Sequence, residues 1–196
     1  MRAVLYTLAV LLCATTATAE PTTRPTTAPS LFGQIQGKRV VFLLDRSGSM
    51  LPKFDDLRHH AKQAVMGLAE TQQFNIVFYS EDPQSMDNAL LAATRQNQFK
   101  AREFLDSVVA RGQTDPVAGL NVAFAMNPDE IYFLTDGDFP DNDAVVQHFR
   151  KLNANKKVKV HTFALLDGGD YEKVLQQIAR DNGGRYKRVT ADDLGK

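Results

Sequence analysis

Short apolar runs alternate along this chain with longer segments whose apolar residues recur every three or four positions. The runs are apolar almost throughout, which is typical of strands that are covered on both faces of a parallel sheet. The longer segments have the spacing of helices that bury one face. Strands are predicted at 38–44, 74–79, 130–134, 158–166 and 185–189, and helices from Pro52 to Leu68, at 99–110, from Pro116 onward, after Asp141 and at 171–180.

This alternation of strands and helices predicts a doubly wound α/β fold, because parallel strands need crossover connections. We expect a mostly parallel central sheet with helices on both faces and one antiparallel edge strand. The segment 89–93 is the candidate for that edge strand, although so short a run does not distinguish a strand from a helix. In such sheets a ligand binds outside the carboxyl ends of the strands, where the winding reverses.

The first 30 residues have the features of an export signal followed by a linker. Met1-Arg2 precedes an apolar stretch from Ala3 to Ala14, and Ala17-Thr18-Ala19 matches the A-x-A pattern of a cleavage site. The apolar stretch is shorter than the ~18 residues of a spanning helix, and a retained anchor is the alternative. The next stretch is rich in Pro and Thr, as linkers are. The predicted organisation is a signal peptide at 1–19, a linker at 20–30 and one secreted or periplasmic domain at 31–196.

The charge and cysteine counts narrow the possible partners. The chain has 23 Lys and Arg against 23 Asp and Glu, so nothing indicates a nucleic acid or an anionic membrane as its partner. The one cysteine, Cys13, lies in the predicted signal peptide, so the mature chain would have no disulfide. Export without disulfides fits a bacterial periplasm or cell surface better than a small secreted animal module.

Oxygen-bearing side chains follow two of the predicted strands and precede one predicted helix. The strand at 38–44 ends in a D-x-S-x-S cluster, the strand at 130–134 ends in Thr-Asp-Gly, and a threonine lies just before Pro116. Carboxylates and hydroxyls are hard donors suited to Mg²⁺, Mn²⁺ or Ca²⁺, and so few carboxylates favour Mg²⁺ or Mn²⁺. The predicted metal ligands are Asp45, Ser47, Ser49, Thr114 and Asp136.

Each piece of this pattern also has a simpler interpretation. Ser47 and Ser49 could cap the helix that follows them, and Asp136-Gly137 could form a plain turn. Three pieces in one chain, two of them at strand ends, favour the metal site instead. Asp138 and Asp141 are interpreted as loop or cap residues and not as further ligands.

The three pieces, in this order, closely resemble the metal-ion-dependent adhesion site (MIDAS) of von Willebrand factor A-type domains. The resemblance extends over about residues 38–190, since Ile178 to Tyr186 is similar to the family's last helix and strand. The variant Asp-Arg-Ser-Gly-Ser-Met, with Phe32-Gly33 upstream, resembles bacterial envelope members. The family implies that the serines bind the metal directly, the aspartates directly or through water, and the threonine in the ligand-competent state. It also implies that the metal captures an acidic side chain of a protein partner.

Two other functions stay as alternatives. A Mg²⁺-dependent phosphatase of the haloacid dehalogenase-like class also has an aspartate after its first strand, but it needs D-x-D, and Ser47 takes the second acidic position. A hydroxyl cannot serve there as general acid or base near neutral pH. A metal-free scaffold of the same fold is the second alternative. The preferred function is a non-enzymatic, divalent-cation-dependent module that binds a protein with an exposed Asp or Glu, and whose mature domain does not insert into a membrane.

Overall fold

A central sheet organises the part of the chain that the computed structural model describes, namely residues 31–137, 139–165 and 168–194. The predicted signal peptide and linker, Asp138 and the last residue of the predicted strand 158–166 lie outside those residues. The strands are β1 Arg39–Asp45, β2 Gln73–Tyr79, β3 Gln84–Ser85, β4 Leu91–Ala92, β5 Glu130–Thr135, β6 Lys159–Leu165 and β7 Tyr186–Val189.

The sheet has seven strands in the order β3-β2-β1-β5-β6-β7, and β4 also pairs with β2. The pairs of β1 with β2 and β5, and of β6 with β5 and β7, are parallel, whereas β3 and β4 pair with β2 antiparallel. The predicted doubly wound, mostly parallel fold is therefore confirmed. The edge strand predicted at 89–93 is present, but it is shorter and consists of β4 alone. Strand β3 was not predicted, because its two polar residues carry no hydrophobic pattern.

Helices cover both faces of the sheet. One buried cluster joins the sheet to α1 and α2, and a second joins the opposite face to α3, α4 and α5. No helix among the described residues is long and apolar enough to cross a bilayer. The helices are α1 Phe54–Gly67, α2 Arg95–Ser107, α3 Val117–Ala125, α4 Asn142–Leu152 and α5 Tyr171–Asp181, and short 3₁₀ helices lie at Gly48–Lys53 and Asp192–Leu194.

Polar caps fix where two of these helices begin. The Thr94 hydroxyl accepts a hydrogen bond from the Asn97 N–H at 3.3 Å. The helix predicted at 99–110 therefore begins earlier, at Arg95, and it ends at Ser107. Asp141 Oδ1 accepts a hydrogen bond from the N–H three residues later at 2.9 Å, which confirms its predicted role as a cap.

The register of β1 and β5 brings the predicted ligands to one edge of the sheet. Leu44 pairs with Leu134 in β5 on one side of β1, and Asp45 pairs with Tyr79 in β2 on the other. The winding reverses between β1 and β5, because the chain runs from β1 outward to β2 and later returns to β5. The residues that follow Leu44 and Leu134 therefore emerge side by side, at the position where such sheets bind ligands.

Candidate metal centre

Asp45, the last residue of β1, is fixed by hydrogen bonds to both of its carboxylate oxygens. The residue is fully buried, with 0% of its surface exposed. Oδ1 accepts the Ser47 N–H at 2.7 Å, and Oδ2 accepts the hydroxyls of Thr135 at 2.6 Å and Tyr79 at 3.2 Å. Every one of these donors is neutral. The carboxylate is held rigidly, but no cation among these partners balances its charge.

Burial raises the pKa of the Asp45 carboxyl from 3.8 to about 6. The hydrogen bonds from Thr135 and Ser47 favour the charged form and offset only part of this effect, while the charge of Asp136 raises the pKa further. A carboxylate in this environment is unfavourable without a nearby positive charge. The electrostatics at the end of β1 therefore suit a bound cation.

The two serines and Asp136 form a continuous chain of polar contacts. Ser47 Oγ lies 3.0 Å from Ser49 Oγ, and the Ser49 hydroxyl donates to Asp136 Oδ1 at 2.8 Å. Ser47 precedes the 3₁₀ helix Gly48–Lys53 and makes no capping hydrogen bond with its side chain. Ser47 therefore occupies the N-cap position of this helix, but its hydroxyl lies beside that of Ser49 and does not cap the helix.

Thr114 reaches the same crevice from the loop before α3. A methyl group placed on the Gly137 Cα would lie 3.9 Å from both Ser49 Oγ and Thr114 Oγ1, so both hydroxyls face this glycine. The next residue bonds the start of α3, because Asp115 Oδ1 accepts the N–H of Val117, the first residue of that helix, at 2.9 Å. Asp115 therefore contacts the start of α3, while Thr114 faces the site.

Two backbone hydrogen bonds join the threonine loop to the serine loop. The Gly48 N–H donates to the Gly112 carbonyl at 2.9 Å, and the Arg111 N–H donates to the Arg46 carbonyl at 2.6 Å. Gly112 has φ +86, a left-handed conformation that favours glycine. We call these two bonds the loop ladder. It holds the Thr114 loop beside the D-x-S-x-S cluster beyond the carboxyl edge of the sheet.

Lys53 is a member of this site that the sequence pattern did not indicate. Its Nζ lies 3.2 Å from Asp136 Oδ2, with the lysine side chain 13% and the aspartate side chain 1% exposed. Lys53 is close to the candidate ligands in sequence, because it ends the 3₁₀ helix that begins right after Ser47. The metal-site pattern contains only oxygen donors, however, and gives no reason to examine a lysine.

The donor set fits a small, hard divalent cation. No three His, Cys, Asp or Glu residues in the described ranges are grouped as metal ligands, so a metal here would depend on hydroxyl oxygens. Two carboxylates and three hydroxyls provide oxygen only, as Mg²⁺ and Mn²⁺ prefer. Six positions surround such an ion, so the five cannot all bind directly and still leave room for a partner and retained water. The residues that would hold it are Asp45, Ser47, Ser49, Thr114 and Asp136.

The candidate ligands lie at the winding reversal of a doubly wound sheet, which is the position where α/β domains of this kind bind ligands. The family model for the von Willebrand factor type A domain matches residues 38–188. The chain therefore belongs to the von Willebrand factor type A domain family. The metal site and the bacterial envelope type stay predictions.

Similar proteins agree with this family and differ widely in size. The von Willebrand factor A domain-containing protein 3A of Homo sapiens is 31% identical over 170 residues, which covers 83% of this chain and 14% of that protein. A von Willebrand factor type A structure from Catenulispora acidiphila has a TM-score of 0.67 at 21% identity, over 79% of this chain and 40% of that one. An aerotolerance-related membrane protein from Bacteroides fragilis has a TM-score of 0.63 at 18% identity, over 80% and 93%. At these identities the two structures support the fold alone.

Proposed function

We propose that this domain binds a divalent cation, Mg²⁺ or Mn²⁺ before Ca²⁺, and through it an acidic side chain of a protein partner. The observation that carries the proposal is the chain of contacts from Ser47 through Ser49 to Asp136, which connects the end of β1 to the end of β5. When bound, the cation would supply an electrophilic centre for an incoming carboxylate. The protein's part is to hold the oxygen donors in place beforehand.

The residues at and after the end of β1 favour binding over phosphatase chemistry. The hydroxyls of Tyr79 and Thr135 and the N–H of Ser47 occupy both carboxylate oxygens, and the residue is wholly buried. A phosphatase of the haloacid dehalogenase-like class would need this aspartate to attack its substrate and a second acid two residues later, where this chain has Ser47. This favours a binding module over a phosphatase of that class.

The rim of the crevice suits a protein surface. Leu51 is 64% exposed, although it is large and apolar, and it lies only two residues beyond Ser49. Interfaces commonly combine an apolar contact with a polar one. A partner that presents an Asp or Glu beside an apolar patch would satisfy both. With the predicted signal peptide, we propose that the domain meets this partner in the periplasm or at the cell surface.

The test is a thermal melt combined with partner capture. A ligand that binds only the native state adds about 2.7 kcal/mol at a hundredfold excess over its Kd, so Mg²⁺ or Mn²⁺ at millimolar concentration should raise the Tm, and EDTA should reverse the shift. The same protein immobilised on beads should capture its partner from an envelope extract in Mg²⁺ and release it in EDTA. An unchanged Tm with all three ions, together with capture that ignores EDTA, would favour the metal-free scaffold.

A further inference from the structure

We propose that Lys53 is a built-in cation that closes the metal centre when no divalent ion is bound, and that the ion must displace it from Asp136. The inference rests on the proposed metal-binding function. It starts from the ion pair between Lys53 Nζ and Asp136 Oδ2 at 3.2 Å, both of which are shielded from solvent. Lys53 therefore regulates how tightly the site binds its ion.

The position of Lys53 in the fold makes this contact a fixed feature of the chain. The residue ends the 3₁₀ helix that begins after Ser47, and the next residue, Phe54, begins α1. Phe54 is buried, with its ring centroid 5.6 Å from that of Phe78 in β2. The backbone of Lys53 is thus anchored between the candidate ligands and the core. Its long side chain is still flexible enough to turn outward.

Both oxygens of Asp136 are already engaged in this arrangement. Oδ1 accepts the hydroxyl of Ser49 at 2.8 Å, and Oδ2 faces the ammonium of Lys53. A buried carboxylate without a cation is strongly unfavourable, so in the absence of metal the lysine stabilises the site. Asp45, which has only neutral donors, adds a second negative charge nearby.

A divalent ion at Asp136 would place two cations at one carboxylate. Like charges a few ångströms apart repel strongly in a shielded site, so the ammonium and the metal exclude each other. The apparent affinity for metal is then the intrinsic affinity multiplied by the fraction of molecules in which Lys53 has moved away. Removal of the ammonium should tighten metal binding, although the residue is not itself a ligand.

The experiment compares Mn²⁺ binding to the wild type, Lys53→Met and Lys53→Arg by calorimetry and by electron paramagnetic resonance of free Mn²⁺. Lys53→Met should tighten the Kd about tenfold, which corresponds to about 1.4 kcal/mol, while Lys53→Arg keeps the charge and should stay within a factor of about three of the wild type. Lys62→Met is the matched control, because Lys62 lies in α1 and pairs with the more exposed Asp106. It changes the net charge equally and should leave the Kd unchanged.

A second readout is the Tm in EDTA. Lys53→Met leaves the carboxylate of Asp136 without its ammonium, so its Tm should fall below that of the wild type and recover fully in Mn²⁺. If this variant does not fold in EDTA, Lys53→Gln replaces it in the same titration.

Three results would overturn the proposal, and they are distinguishable from one another. Equal Kd values for the wild type and Lys53→Met would leave the metal-binding function intact and make the lysine a bystander. Weaker binding by Lys53→Met would make the lysine a support for the ligands. Absence of Mn²⁺ binding in both proteins would refute the proposed function as well, whereas binding by Lys53→Met alone would support closure by Lys53.

Discussion

Two buried carboxylates at opposite edges of the same sheet have pKa values shifted in opposite directions. At the carboxyl edge, Asp45 is surrounded by neutral donors, and burial raises its pKa to about 6. At the amino edge, Glu130 begins β5, and the imidazole of His161, helped by the Gly37 N–H and the Tyr132 hydroxyl, lowers its pKa to about 2. The charge of Glu130 is stabilised by its own neighbours. The hydrogen bonds to Asp45 offset only part of the effect of burial on its charge, so a cation beside it would be favourable.

The surroundings of Glu130 show how a structural carboxylate is built. Its Oε1 lies 3.9 Å from His161 Nε2, and its Oε2 accepts the Tyr132 hydroxyl at 2.9 Å. Gly37 allows a close approach, because a Cβ there would lie 2.8 Å from Glu130 Cγ. These partners belong to β5, β6 and the segment before β1. The cluster therefore fastens that segment across the amino edge and has no open side for a ligand.

Glu130→Gln should give the largest effect on stability. A lowered pKa means that the ionised carboxylate stabilises the fold above pH 4.5, and that this contribution is lost as the pH falls toward 2. We expect the variant to be about 2 kcal/mol less stable than the wild type at pH 7, with the difference shrinking below pH 4.5. Urea unfolding as a function of pH checks this. Its Mn²⁺ affinity should be normal, and a loss of affinity would contradict the separation of the two edges.

Asp45→Asn should raise the free energy of unfolding in the absence of metal, whereas Glu130→Gln lowers it. With a raised pKa, the protonated form is favoured by folding, so the contribution of Asp45 is most favourable below pH 3.8 and is lost as the pH rises through about 6. At pH 7 in EDTA the neutral amide should stabilise the fold by about 1–2 kcal/mol, after allowance for weaker hydrogen bonds. The advantage should disappear near pH 4. In Mg²⁺ the variant should not gain stability, and a variant that is less stable at pH 7 in EDTA would contradict this account of Asp45.

Thr114→Ala should have the smallest effect on stability and a large effect on binding. The residue lies in a loop, and loss of one hydroxyl should change the free energy of unfolding by no more than about 0.5 kcal/mol. Metal-dependent capture of the partner should be lost if the hydroxyl completes the ligand set. Thr114→Ser keeps the hydroxyl and is the matched control. Normal EDTA-sensitive capture by Thr114→Ala would remove this residue from the proposed ligands.

The sequence pattern predicted the strands well because β1, β2 and β5 are apolar over most of their length and buried on both faces. It predicted the five oxygen side chains as a group because they occur in ordered motifs. It missed what determines the behaviour of the site. The pattern predicts Tyr79 only as the last residue of a strand, yet its hydroxyl reaches Asp45 across 34 positions, and Lys53 reaches Asp136 across 83. The Tyr79 contact depends on strand register, and the Lys53 contact depends on where the 3₁₀ helix places this lysine. A one-dimensional pattern contains neither.

The loop ladder has a consequence for how the site would take up its ion. Ordering a backbone costs about 1–2 kcal/mol of conformational entropy per residue at room temperature. Because the hydrogen bonds from Gly48 to Gly112 and from Arg111 to Arg46 already order both loops, this entropy is lost when the chain folds and not when the ion arrives. Ion entry then needs rotation of side chains, which takes picoseconds to nanoseconds, and not closure of a loop, which takes nanoseconds to microseconds. The rate of ion uptake would then depend on the concentration of the free ion and on how fast the ion loses its bound water.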